Sequence, residues 1–185
     1  AHKDTINIKE KKDGLDFFYL SKNHAVKMLE FLQAITPLRY KQSEQLISED
    51  VQSGTANYKF TYSIEIVPIC RDDLVCLPPK AASYLGGINP ISLCIKVGSS
   101  LHFIDPQTLH VSEMNQLVYW RFPFSQLLSY KDLVEFYVID VEISGEKIGK
   151  HMLANVIVAR TSDFGKNSVT YQIRTHLGFI LKPGD

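Results

Sequence analysis

The sequence predicts an α+β chain that is mostly β: a small α/β segment over residues 1–70, then two small barrels over residues 71–122 and 123–185. Three observations carry this expectation. Tyr58 to Val67 alternates apolar and polar residues, the period of a strand with one buried and one wet face. From Arg71 the texture changes to short apolar runs broken by Pro and Gly at close spacing, which reads as a barrel of the SH3 type. After Asp132 three long apolar stretches follow, which suits an OB-like barrel lacking its last strand.

Each element follows from local chemistry. Thr5 to Glu10 reads as a strand, Lys12-Asp13-Gly14 as a hairpin turn, and Leu15 to Leu20 as the returning strand. Ser21 is a helix N-cap, and Ala25, Met28, Leu29, Leu32 and Ile35 then recur at helical spacing. Thr36-Pro37 stops that helix, because the residue before proline disfavours helical backbone. Leu38 to Ile47 is extended, and Asp50 to Asn57 is a polar connection. In Tyr58 to Val67 the residues Tyr58, Phe60, Tyr62, Ile64 and Ile66 share the face expected to be buried, and Pro68 ends the strand.

In the second part, Leu74 to Leu77 is a strand broken by Pro78-Pro79, and Ala81 to Leu85 is one helical turn before Gly86-Gly87. Ile91 to Val97 is a strand. Leu101 to Ile104 and Leu109 to Ser112 flank Asp105-Pro106-Gln107-Thr108, with Pro at the second position of a type I turn. Val118 to Phe122 is expected to close the barrel as a strand. Pro123 to Asp132 reads as a linker with a helical turn through Phe124, Leu127 and Leu128. The last part holds strands at Leu133 to Ile143, Leu153 to Thr161 and Ser168 to His176, joined by turns at Gly145 to Lys150 and Asp163 to Asn167.

Bulk properties exclude several classes. Hydrophobic residues make up 45% of the 185, enough for a real core, so wholesale disorder is excluded. Twenty basic residues balance twenty acidic ones, so no strong non-specific grip on nucleic acid is expected and any RNA contact must come from local patches. The three cysteines, Cys70, Cys76 and Cys94, form no Cys-x-x-Cys pair, and buried small hydrophobes are the expected role of each. No apolar run has membrane-spanning length, so no membrane partner is expected. The opening at Ala1 and the closing Pro-Gly-Asp read as the ends of a piece cut from something longer.

Catalytic motifs are missing from the sequence. There is no His-Glu-x-x-His and no Gly-x-Ser-x-Gly, so no enzymatic activity is expected. Gly145 to His151 imitates a phosphate loop, but it has one residue too few between its glycines and His where Ser or Thr would hold magnesium, so it reads as a solvated turn. No two of the six histidines stand at ligand spacing, so no metal or other cofactor is expected. Trp120, beside Tyr119 and Phe122, could stack on a base but reads as core. The candidate RNA contacts are therefore basic or polar residues on strand faces and turns: Arg39 and Lys41, Lys80, and the stripe Gln172, Arg174 and His176, expected on one face of the last strand.

Arg174-Thr175-His176-Leu177-Gly178, followed by Leu181-Lys182-Pro183-Gly184-Asp185, closely resembles one family: the eukaryotic adaptors that export the large ribosomal subunit from the nucleus, the nonsense-mediated decay protein three family. Similar segments run in order through the chain. They include His2 to Thr5, Asp13 to Phe17, Ala25 to Leu32, Arg39 to Lys41, Leu46 to Ser48, Ile64 to Cys70, and Leu101-His102 with Ile104 to Pro106. The resemblance implies the middle region of such an adaptor, with its SH3-like and OB-like barrels. It implies docking on the joining face of the maturing subunit near the tRNA exit site, against ribosomal RNA and the proteins of the adjoining stalk. It also implies shuttling between nucleus and cytoplasm, and no catalysis. The family's zinc region would precede residue 1. Its import signal and the segment that engages the export receptor would follow residue 185. The turn at Ser144 to Lys150 reads as shorter than in animal relatives. The alternative from another class is an SH3-like module that recognises a peptide segment of a partner protein.

Overall fold

A computed structural model describes residues 2–50, 52, 54–163 and 165–185. The chain divides into two compact units, residues 1–67 with 98–100, and residues 68–97 with 101–185. The expected connection at 50–57 and turn at 163–167 each include positions outside the described residues, namely 51, 53 and 164.

In the first unit, β1 (Thr5–Lys11) and β2 (Gly14–Tyr19) form an antiparallel hairpin. Gly14 sits at φ 152°, a conformation that favours residues without a Cβ. The helix α1 (Lys22–Ile35) starts where Ser21 accepts a hydrogen bond from the backbone N–H of His24. It stops at Thr36, whose N–H reaches the Leu32 carbonyl before Pro37 takes the chain out. β3 (Leu38–Asp50) and β4 (Thr55–Ile66) then form a long two-stranded ribbon, in register from Leu38 opposite Ile66 to Leu46 opposite Tyr58, with Ile47 bulged. The polar connection is thus shorter than expected, because Thr55 to Asn57 joins the ladder.

The apolar face of β4 is only half covered. Phe60, Tyr62 and Ile64 are partly buried, whereas Tyr58 and Ile66 stay 48% and 47% exposed. Alternation fixes which way side chains point, not what lies above them. The unit buries Leu29, Pro37, Leu38 and Val67, around the end of α1 and the base of the ribbon.

The middle of the chain builds a five-stranded antiparallel sheet from β5 (Leu74–Cys76), β6 (Ile91–Val97), β7 (Ser100–Ile104), β8 (Val111–Asn115) and β9 (Gln126–Leu128). Its order is β8-β7-β6-β5-β9. The short helix α2 (Pro79–Tyr84) starts with proline in its first turn, where a missing N–H costs nothing. Val75, Leu77, Ile88, Leu101, Phe103, Ile104, Met114 and Tyr119 form the buried core. The Asp-Pro turn falls where expected. The Asp105 carboxylate accepts from the Gln107 N–H at 2.9 Å and the Thr108 hydroxyl at 2.6 Å.

Two expectations are corrected here. Residues 118–122 are not a strand, because Gln116–Arg121 forms the helix α3. Asn115 caps it, accepting from the Val118 N–H at 2.9 Å. A helix lets Val118 and Tyr119 be buried together, whereas a strand would send neighbours to opposite faces. The Tyr119 hydroxyl donates to the Phe124 carbonyl at 2.6 Å and draws the chain back. Residues 126–128, expected in a helical linker, instead form β9 on β5, with Leu128 opposite Leu74 and Gln126 opposite Val75. The SH3-like sheet therefore runs past Phe122. A cysteine reading also changes: only Cys94 is buried, while Cys70 and Cys76 are exposed.

A 3-10 turn, Tyr130–Asp132, leads onward. Ser129 accepts from the Lys131 N–H and Asp132 from the Ser129 N–H, a reciprocal cap. The final sheet has the order β10-β11-β12, from β10 (Phe136–Ile148), β11 (His151–Arg160) and β12 (Tyr171–Thr175). Its core is Val138, Ala154, Val156 and Val158, with Val141 and Leu181 packed on it. Gly178 donates to the Met152 carbonyl at 2.9 Å, and Gly184 and Asp185 bond both backbone groups of Val138. The last residues thus reach from β11 to the free edge of β10.

Gly178 lies where no side chain fits: a Cβ there would stand 2.6 Å from the Ala154 Cβ and 3.0 Å from the Met152 carbonyl oxygen. Gly178→Ala is expected to cost about 1–3 kcal/mol in urea unfolding, as overpacking does. Gly145→Ala, whose Cβ would stand 3.4 Å from the Leu153 Cβ, is the mild comparison. Adding Ala154→Gly should return part of the Gly178→Ala loss.

Candidate nucleic-acid interface

The six candidate residues fall in separate places. Arg39 and Lys41 occupy the polar face of the β3–β4 ribbon, opposite Glu65 and Ser63. Arg39 Nε stands 2.7 Å from a Glu65 carboxylate oxygen, with both side chains exposed. Part of the Arg39 charge is therefore answered within the ribbon, although an exposed pair of this kind exchanges readily for another anion. Lys80 is exposed on α2, in the other unit.

Gln172 and Arg174 are exposed on the outer face of β12. Register places Gln172 beside Ile157 and then Asp140, and Arg174 beside Asn155 and then Glu142. That face mixes one cation with two carboxylates. Alternation along one strand predicted the stripe, but the acidic residues enter from β10, two strands away.

His176 does not continue the stripe. β12 ends at Thr175, and His176 turns in, half-buried, with its ring centre 5.3 Å from that of His151. Burial, and then the neighbouring His151, hold its pKa below the ordinary 6.5, while Asp72 pulls the other way. Sequence spacing had kept these histidines apart, since they are joined through the β11–β12 ladder and the bond from the Met152 N–H to the His176 carbonyl. The pairing of β11 with β12 is the signal that would have found them.

Several other cations rest on aromatic rings. Lys22 Nζ lies 4.1 Å from the Phe60 ring centre and Lys147 Nζ 3.4 Å from that of Phe179. Tyr119 is buried in the SH3-like core and ties down Phe124, so it offers no stacking surface. Among the described residues no group of three or more His, Cys, Asp or Glu gathers in one place. No described helix is long and apolar enough to cross a membrane.

Comparison with known proteins gives three consecutive matches. Residues 1–66 match the family model described as NMD3, second domain; residues 69–117 match the NMD3 SH3 domain; residues 133–185 match the NMD3 OB-fold domain. Over the whole of this chain, identity is 54% to the 60S ribosomal export protein NMD3 of Dictyostelium discoideum and 52% to that of Saccharomyces cerevisiae. It is 48% to that of Homo sapiens, over 193 aligned residues. The chain spans 35%, 36% and 38% of these relatives, about a third of their length.

Two outcomes follow from the site chemistry. Burial pushes the Cys94 thiol up to about 12, so iodoacetamide at mildly alkaline pH should label Cys70 and Cys76 and spare Cys94, read by mass spectrometry. A histidine whose folded pKa is lowered resists protonation in the fold. Its contribution is complete above about 6.5 and is lost as pH falls from there toward the lowered value. Melting temperature should therefore drop as pH falls below about 6.5, and His176→Gln should make that drop shallower.

Proposed function

The chain belongs to the NMD3 family, and on that premise we propose that it is a ribosome-docking part of a large-subunit export adaptor. In this reading it binds the pre-large subunit on its joining face, in the tRNA exit-site region, during nuclear export and cytoplasmic maturation. Its partners are ribosomal RNA and the proteins of the exit-site stalk, and it shuttles between nucleus and cytoplasm. The export receptor is engaged by another segment of the adaptor. The work is binding, not catalysis.

One observation carries the proposal: three family modules follow one another in order, at 47–54% identity across the full chain, to proteins named for export of the 60S subunit. The mostly β architecture agrees with it, since β-sheets with short loops present many backbone and side-chain groups to a folded RNA. The three-module division, with breaks near Cys70 and past β9, is part of the same reading. Arg39, Lys41, Lys80, Gln172, Arg174 and His176 stay candidates as contacts, with His176 the weakest because it is half-buried. A peptide-binding SH3 groove is not favoured, because Tyr119 and Phe103 are interior.

Co-sedimentation with purified large subunits at rising salt tests this. Binding should weaken steeply with salt, since phosphate contacts release counterions. Lys41→Glu and Arg174→Glu should each weaken it and reduce the salt slope by about one. Absence of binding at low salt, or binding indifferent to salt and to both substitutions, would contradict the RNA-docking reading.

A further inference from the structure

We propose that His151 and His176 together hold one divalent transition-metal ion of the zinc and nickel class, at the hairpin end of the OB-like sheet. The ring centres are 5.3 Å apart and the planes tilt by 50°. Two imidazoles bound to one tetrahedral ion, with metal–nitrogen distances of about 2.0–2.1 Å, place their ring centres roughly 5 Å apart. The observed separation matches that spacing. His151 Nδ1 is buried and has no hydrogen-bond partner. A buried nitrogen left in this state calls for an ion or a water to satisfy it.

Imidazole is a borderline donor that suits zinc, nickel and copper over magnesium or calcium. No third His, Cys, Asp or Glu joins the two rings among the described residues, so water completes the shell. The ion is then weakly held and exchangeable. Bound there, it would tie the start of β11 to the chain leaving β12, next to Gly178 and its bond to Met152. The site is distinct from any sequence motif, because the two ligands lie 25 residues apart and meet only through the sheet.

The test uses the chain without an affinity tag. Zinc titration by calorimetry at neutral pH should show one saturable site. His151→Ala and His176→Ala should each weaken it about tenfold or more, and His24→Ala, on α1, should leave it unchanged. Cobalt titration followed by NMR should broaden the ring signals of both histidines together and ahead of the others. Circular dichroism establishes whether the variants fold; where the alanine forms do not, His151→Gln and the broadening pattern of the wild type decide. The proposal is overturned by no saturable binding at millimolar zinc, by binding that both single variants retain, or by broadening that spares either ring.

Discussion

The carboxylate of Asp73 accepts hydrogen bonds from the backbone N–H of Cys70 at 2.7 Å and of Tyr130 at 3.2 Å. These residues bracket the SH3-like module, one just before its first strand and one just after its last. Asp73 itself is buried, and its backbone carbonyl accepts from the Cys94 N–H, which sets it against β6. Hydrogen bonds to a buried carboxylate are worth roughly 1.5–3 kcal/mol each, and donors left without it carry a desolvation penalty of similar size. By contrast, the β5–β9 pairing at the same junction holds only two registered positions. The turn at Tyr130 leads within a few residues into β10, so this carboxylate sets where the OB-like sheet begins.

The rest of the second unit is arranged around that junction. Its strong packing lies in the SH3-like core, where Phe103, Leu101 and Met114 are fully enclosed. The OB-like sheet is thinner, and its inner face leaves Ile173 47% and Ile143 62% exposed. Leu181 and Gly178 cover part of it. Overall neutrality, with lysines resting on aromatic rings, leaves no strong non-specific attraction to RNA, so the proposed docking would rest on shape and a few charges.

Much of the local structure was legible in the sequence. Ser21 as cap, Thr36-Pro37 as stop, the Asp105-Pro106 turn and the strand Ile91–Val97 rest on chemistry contained within a few residues. What escaped depended on partners far away in sequence. Val118 to Arg121 is aromatic and apolar enough for a strand, and only the Asn115 cap and the Tyr119 bond to Phe124 decide for a helix. Gln126–Leu128 becomes a strand because β5 offers it an edge. The candidate interface was less legible than the fold. Gln172 and Arg174 do share an exposed face, but the acidic neighbours Asp140 and Glu142, and the turn of His176 toward His151, are set by cross-strand register.

The Asp73 junction is tested most directly by amide hydrogen exchange in the wild type and in Asp73→Ala. The amides of Cys70 and Tyr130 should be protected in the wild type and exchange rapidly together in the variant. Amides of Val156 and Val158, within β11, should keep their protection. Continued protection of Tyr130 without the carboxylate, or loss of protection spread evenly through β11, would contradict the role of this side chain in fixing the junction between the two sheets.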